Sequence, residues 1–237
     1  MEVRDFISRY KEAFSERAEL PVAVWYADEE QGMRATTKGC MLKAMSDARG
    51  GQAICFDCKG IGCTGGRYKC GFTGPGRFLP RFLSEVEKYK DTPEAVEKWL
   101  ALNAVVAAEK KYLCFARIDQ VETFEGKEGL VFFANPDMLS GLCDWAFYDN
   151  GDPSAVVVMF DSGCGQMVSQ MVGENRRGGR RVFLGLTDIS ARQFFEPGIM
   201  SLSVPMSRIN EMYVTMERCF LLGGNRDWDA IKGRIGS

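Results

Sequence analysis

Apolar and polar positions along the chain alternate between helical and strand-like spacing. The apolar residues between Val3 and Phe14 recur every three or four positions, which predicts an amphipathic helix over residues 2–18. Short apolar runs predict strands over 22–26, 52–56, 112–121, 130–133, 155–160, 182–186 and 202–205. Helical spacing predicts helices over 78–89, 93–110 and 136–147. It also predicts a short helix that begins at 39–42 and stops at 50–51, a helix that opens at 163–165 and ends at 178–179, and a helix after 202–205 that carries Ile209, Met212, Tyr213 and Met216. We therefore predict an α/β (or α+β) fold, a mixed sheet with flanking helices.

Two segments carry more specific expectations. The continuous apolar run 155–160 predicts a buried strand, and the glycine- and cysteine-rich stretch 57–76 predicts a loop. The length of 237 residues suits one large domain or two fused halves, and we expect one domain over 1–237.

The two halves of the chain carry similar landmarks in the same order. Cys40, Arg67 and Pro80 precede Cys164, Arg192 and Pro205 by about 125 residues each. This pattern suggests an internal duplication, with pseudo-repeats over about 21–110 and 150–225. Chance similarity between stretches of any α/β protein is the alternative.

Composition and charge exclude several classes of protein. Hydrophobic residues make up 46% of the chain and charged residues 26%, as in folded globular proteins. The net charge of −2 leaves no basic field for nucleic acid, so a nucleic-acid partner is not expected. No apolar run approaches the roughly 18 residues of a membrane span, so no membrane partner is expected.

The absence of histidine is the most informative count. With no histidine, a histidine-based triad and a metal site built on imidazole are both excluded. The chain has nine cysteines and starts without an apolar signal segment, so we expect a cytoplasmic location with reduced thiols. Metal chemistry would then use thiolate or oxygen ligands.

Four cysteines lie close together in the segment 55–70. Cys55, Cys58, Cys63 and Cys70 are set among glycines, a pattern that suits a tetrahedral thiolate site. One interpretation is a structural zinc site in a non-enzymatic module that binds a ligand or a partner. A loop whose thiols bind nothing is the alternative.

Cys40 and Cys164 each follow a glycine at a predicted helix start. The helix dipole and free amide groups there stabilise a thiolate. If the halves are related by a two-fold axis, these helix starts could face one site; each cysteine could equally be a small packing residue. Arg67 and Arg192 are candidate cofactor-binding residues that could hold an anion, with surface salt bridges as the alternative.

Four motifs together resemble a known family. They are Gly39-Cys40-Met41-Leu42, the stretch from Cys63-Thr64-Gly65-Gly66 to Cys70-Gly71-Phe72, Gly163-Cys164-Gly165, and Leu202-Ser203-Val204-Pro205. The set resembles the family of unknown function number 169, the uncharacterised ArCR family, over 21–213. The resemblance implies that Cys40, Cys63 and Cys164 are the family's cysteines, whereas Cys55, Cys58 and Cys70 are additions in this chain. The family's frequency in anaerobes would fit an oxygen-sensitive cofactor.

Three separated thiolates without histidine favour an iron–sulfur cluster, four-iron four-sulfur, over zinc. Cys55, Cys58 or Cys70 could supply the fourth ligand, or one iron could stay open.

The expected role is redox or cluster-assisted chemistry on a small molecule, with a small molecule or a redox protein as partner. A metal-free thiol enzyme using Cys40 or Cys164 is a further alternative. Self-association into a homo-oligomer is left open.

Overall fold

A computed structural model describes residues 1–30, 33–35, 39–103 and 105–235, with side chains at 34 and 35 left out. Its strands are β1 (Val22–Ala27), β2 (Arg34–Ala35), β3 (Ile54–Phe56), β4 (Tyr112–Arg117), β5 (Gly129–Ala134), β6 (Val156–Val157), β7 (Val182–Gly185) and β8 (Met200–Pro205). Its α-helices are α1 (Val3–Ala13), α2 (Met41–Arg49), α3 (Thr64–Lys69), α4 (Leu79–Arg81), α5 (Pro93–Leu102), α6 (Pro136–Phe147), α7 (Gln170–Arg176), α8 (Met206–Thr215) and α9 (Arg226–Lys232).

Short helical segments of other types complete the structure. Two π-helices cover Phe82–Val86 and Gly165–Ser169, and two 3-10 turns cover Ile118–Gln120 and Arg192–Phe194. The second π-helix runs directly into α7. Single π turns within helices often occur at functional sites, so both are relevant to the search for a site.

The described strands form one mixed sheet in the order β2-β3-β4-β1-β5-β8-β7-β6. The outer pairs β2/β3 and β6/β7 are parallel, and the five inner pairs are antiparallel. The predicted α/β class with a mixed sheet and flanking helices is confirmed.

The sheet has an approximate internal symmetry about the β1/β5 pair. The order β2-β3-β4-β1 on one side matches β6-β7-β8-β5 on the other, with the same parallel and antiparallel pairings. In both halves a helix connects the parallel pair, and Cys40 and Cys164 immediately precede these helices. The match is one of topology, and common origin by duplication stays a prediction.

Some of the predicted landmarks do not correspond in the fold. The matching strand units run from β1 to β4 and from β5 to β8, so the second unit starts and ends about 20 residues before the predicted repeat 150–225, and the first extends past the predicted end at 110. Pro80 lies in α4, between β3 and β4, whereas Pro205 is the last residue of β8. These two prolines are therefore not equivalent.

Each face of the sheet carries its own hydrophobic core, because side chains alternate along a strand. In β1, Ala23 and Trp25 enter the core that is covered by α1, α6, α8 and α9. Val24 and Tyr26 enter the opposite core, which is covered by α2 and by the helical segment 165–176. The second core is the one that positions the cysteines described below.

Several predicted elements differ from those observed. The segment 57–76 was predicted as a loop but contains α3, and the predicted helix 93–110 ends at Leu102. Only Val156–Val157 of the predicted buried strand 155–160 pairs, and Val158 and Phe160 are exposed. Phe160, at the end of this run, lines a cavity instead of the interior of the sheet.

Candidate functional site

Two loops that carry cysteines are joined by backbone hydrogen bonds. The amide of Gly39 donates to the carbonyl of Gly60 at 2.8 Å, and the amide of Gly62 donates to the carbonyl of Gly39 at 2.8 Å. Cys40 directly follows Gly39, and Cys63 directly follows Gly62, on the two paired backbone segments. This bridge therefore aligns the start of α2 with the start of α3.

The short helix α3 places one cysteine at each of its ends. Cys63 is the N-cap residue, and its Sγ accepts the amide of Gly66 at 3.1 Å. Cys70 is the C-cap residue, and the left-handed φ of +78° at Gly71 ends the helix there. The spacing of six intervening residues between the two cysteines thus reflects a two-turn helix.

Cys164 approaches the same region from the second half of the chain. A Cβ at Gly163 would lie 2.9 Å from Leu42 of α2, so the glycine lets the two helix starts pack closely. A Cβ at Gly66 would lie 2.9 Å from Cys63 Sγ and 3.8 Å from Cys164 Sγ. The two sulfur atoms therefore flank one glycine.

Electrostatic coupling places four thiols in one group. Burial, followed by the nearby Cys70, Cys63 and Cys40, raises the pKa of Cys164 well above its usual range. Burial, followed by Cys63 and Cys40, likewise raises the pKa of Cys70. Cys63 is exposed, Cys40 is partly buried, and Cys70 and Cys164 are buried. We call Cys40, Cys63, Cys70 and Cys164 the four-thiol group.

The structure does not bring all of the predicted metal ligands together. Cys55 lies on β3 opposite Cys114 of β4, in the core on the other face of the sheet from Cys70. The sheet therefore separates Cys55 from Cys70, and a site closed by Cys55, Cys58, Cys63 and Cys70 stays a prediction that this arrangement does not favour. Cys58 is partly exposed in the loop after β3.

Arg67 and Arg192 both brace their own loops. The Nε of Arg67 donates to the carbonyl of Ile61 at 2.8 Å. Arg192 donates to the carbonyls of Ile199 and Glu196. Binding of an anionic cofactor by these arginines stays a prediction, and it would compete with these backbone contacts.

A buried ion pair beside the four-thiol group was not predicted from the sequence. Lys69 Nζ lies 2.8 Å from Asp161 Oδ1, and their side chains are 3% and 0% exposed. Asn103 and Gln170 also donate to this carboxylate, at 2.8 and 3.1 Å. A Cβ at Gly165 would lie 2.1 Å from the carboxylate, so the glycine of the Gly-Cys-Gly motif makes room for the pair.

The lysine of this pair faces both the thiols and an aromatic ring. Burial lowers the pKa of Lys69, while Asp161 and then Cys164 act in the opposite direction. Lys69 Nζ lies 4.4 Å from the centre of the Trp99 ring. No spacing pattern in the sequence connects residues 69, 99 and 161, which explains why the pair was missed.

Two adjoining cavities open next to this ion pair. The smaller, of about 310 Å³, is lined by Cys63, Lys69 and Trp99 among others. The larger, of about 410 Å³, is lined by residues from four parts of the chain: Phe82, Leu83, Glu87 and Tyr89; Trp99; Phe160, Asp161, Ser162 and Gln166; and Thr187, Asp188, Ile189 and Ser190. Phe82, Trp99 and Ser162 line both, so the larger cavity adjoins the one that Cys63 reaches.

Two negative findings apply to the described ranges. No three side chains of the ligand types Cys, Asp and Glu converge on a point where one metal ion could bind. No described helix combines the length and the apolar character needed to cross a membrane.

The fold defines an α/β protein with an approximately symmetric mixed sheet, and the four-thiol group brings cysteines of both halves near one another. Comparison with protein families matches residues 16–214 to the uncharacterised ArCR family, a family of unknown function. The chain belongs to this family, as its cysteine motifs predicted. Comparisons with curated proteins and with solved structures find no match.

Proposed function

We propose that the four-thiol group binds an iron–sulfur cluster, with the four-iron four-sulfur form favoured, and that this cluster serves redox chemistry on a small molecule. Four thiols would supply one ligand to each of four irons. With every iron ligated, electron transfer is favoured over Lewis-acid chemistry, which needs an open position.

The observation that carries this proposal is that four cysteines from both halves of the chain lie near one another. Cys40 and Cys164 come from topologically equivalent helix starts, and Cys63 and Cys70 come from the two ends of α3. Burial, followed by the neighbouring thiols, raises the pKa of both buried members, Cys70 and Cys164. Iron or another metal would offset that repulsion by replacing the thiol protons.

The arrangement favours a cluster over a single zinc ion. Zinc holds its thiolates about 2.3 Å from one point. Among the described side chains no such point of convergence exists. In a four-iron cluster each thiolate binds a different iron, so the ligands surround a wider body.

Neighbouring groups suit an anionic centre. The ammonium group of Lys69 is the buried cation whose charge acts on Cys164, and the amide of Gly66 donates to Cys63 Sγ. Hydrogen bonds to sulfur and nearby charge tune the reduction potential of such clusters. Because Cys63 is exposed, electrons could enter or leave at this side.

The experiment is to purify the protein without oxygen and to measure iron, acid-labile sulfide, zinc and the visible spectrum. We expect brown protein with iron and sulfide in equal amounts. Cys164→Ser and Cys70→Ser should each lose most of the iron. Cys143→Ser is the matched control, because Cys143 lies on α6 against the opposite core.

Two results would overturn the proposal. Colourless protein with one tightly bound zinc would replace the cluster by a structural site. Full iron and sulfide content in Cys164→Ser would show that the four-thiol group is not the ligand set. A folded control with unchanged far-ultraviolet circular dichroism separates loss of metal from loss of structure.

A further inference from the structure

We propose that the larger cavity is a binding site for an uncharged molecule with a flat aromatic ring. Its volume of about 410 Å³ lies within the range of small-molecule sites, roughly 300–1,000 Å³. Its lining residues come from the π-helix Phe82–Val86, the segment just before Cys164 and the loop after β7, among others. These parts of the chain are far apart in the sequence.

Aromatic rings form the walls of this cavity. Phe82, Tyr89, Trp99 and Phe160 line it, and the rings of Trp99 and Phe160 pack edge to face with centres 5.5 Å apart. Trp99 Nε1 donates to the carbonyl of Phe160 at 2.9 Å, which fixes both rings in place. Fixed aromatic walls favour a flat apolar ligand, because stacking adds to the burial of apolar surface.

Polar groups are grouped on another part of the lining. Ser162, Gln166, Thr187 and Ser190 place hydroxyl and amide groups on the lining, and Gln166 is held there by hydrogen bonds with the amide and the hydroxyl of Thr187. Gln166 belongs to the π-helix that follows Cys164, so the same segment contributes to the cavity and to the four-thiol group. A few placed polar groups in an apolar cavity orient a ligand.

The charges around the cavity disfavour an anion. Glu87 and Asp188 line it, and together they raise the pKa of Tyr89 after the effect of burial. The buried cation of Lys69 is already paired with Asp161. A carboxylate or phosphate group in the cavity would therefore face like charge without a free buried cation.

Backbone strain at the lining is a further independent indication. Lys88 and Leu186 are the non-glycine residues with positive φ in the described ranges, at 57° and 61°. Lys88 lies between the lining residues Glu87 and Tyr89, and Leu186 precedes the lining residue Thr187. Strained backbone of this kind is retained mainly where it shapes a functional site.

The test uses three probes that share one ring and differ in charge: benzamide, benzoate and benzamidine. Binding is measured by ligand-observed nuclear magnetic resonance on the protein as purified without oxygen. We expect saturable binding of benzamide and at least tenfold weaker binding of benzoate. Phe82→Ala should weaken benzamide binding at least threefold, whereas Val214→Ala, at an exposed apolar residue of α8, should leave it unchanged.

A charge variant tests the reason for the selectivity. Glu87→Gln removes one acidic group from the rim and should reduce the difference between benzamide and benzoate at least twofold. Equal binding of benzamide and benzoate to the unmodified protein, or benzamide binding that Phe82→Ala does not change, would overturn the proposal. Tighter binding of benzamidine than of benzamide would show that the site selects cations and would also overturn it.

Binding of a ligand in the larger cavity does not rest on the proposed function. A redox reaction between that ligand and the cluster would rest on it. Metal content is measured on the same samples, so the two ideas can fail separately. Brown protein that does not bind benzamide removes the cavity proposal alone. Colourless protein that binds benzamide removes the cluster alone.

Discussion

Replacing Lys69 by methionine should destabilise the fold strongly, because it leaves the Asp161 carboxylate buried without its cation. The two side chains are 3% and 0% exposed, and Lys69 Nζ lies 2.8 and 3.0 Å from the two carboxylate oxygens. Breaking a buried pair by removing one partner costs about 3–5 kcal/mol. The neutral donors Asn103 and Gln170 remain, so we expect a cost near the lower end, about 3 kcal/mol.

Urea unfolding followed by circular dichroism measures this cost. With a slope of about 2 kcal/mol per molar urea, the midpoint of Lys69→Met should fall by roughly 1.5 M. The double variant Lys69→Met with Asp161→Asn should be more stable than Lys69→Met, because no buried charge remains unpaired. All variants are compared at equal metal content, so that cluster loss does not enter the difference.

The exposed pair of Lys43 and Asp47 provides the control. The Lys43 side chain is 59% exposed, and exposed pairs contribute about 0–1 kcal/mol. Lys43→Met should therefore stay within about 1 kcal/mol of the unmodified protein. The reasoning is refuted if Lys69→Met is equally mild, or if the double variant is no more stable than the single one.

Three further predictions follow from the contacts. Gly165→Ala should cost about 1–3 kcal/mol in thermal unfolding, because the new Cβ would lie 2.1 Å from the Asp161 carboxylate. Burial raises the pKa of Glu174, but hydrogen bonds and charge from its arginine partners outweigh burial and lower it overall. Its contribution to stability is therefore present above the unfolded pKa of about 4.3 and is lost as the pH falls, so Glu174→Gln should flatten the acid limb of a stability–pH curve. In metal-free protein at pH 8, iodoacetamide should modify exposed Cys63 well before Cys114, whose pKa burial and a neighbouring thiol raise to about 12.

Each of these has a matched control. Gly151→Ala meets no atom within 4 Å and should change stability by no more than about 0.5 kcal/mol. An unchanged acid limb in Glu174→Gln would contradict the assigned pKa direction. Peptide mapping identifies the modified thiol, and Cys63→Ser should remove the fast phase of alkylation. A fast phase that persists would assign it to another cysteine.

Local pattern alone predicted most of the secondary structure. Helix α6 has its predicted bounds, 136–147, and the Asn135 side chain stabilises its start by accepting the amide of Met138. Helix α3 was missed because Thr64-Gly65-Gly66 has low intrinsic helix propensity. Packing and the cap from Cys63 Sγ stabilise it instead.

The sequence by itself limited the metal ligands that the chain can offer, because nine cysteines supply thiols and the absence of histidine leaves no imidazole. It also determined the family, through motifs centred on Cys40, Cys63 and Cys164. Only the tertiary structure decided which thiols lie near one another. Cys55 and Cys70 both lie in the segment 55–70, yet their side chains belong to hydrophobic cores on opposite sides of the sheet. Closeness of two cysteines along the chain does not determine which side of the sheet each side chain lies on. The alternation of side chains along a strand and the placement of the helices determine it. For the same reason the Lys69–Asp161 pair, joined across 92 positions, could be found only in the folded protein.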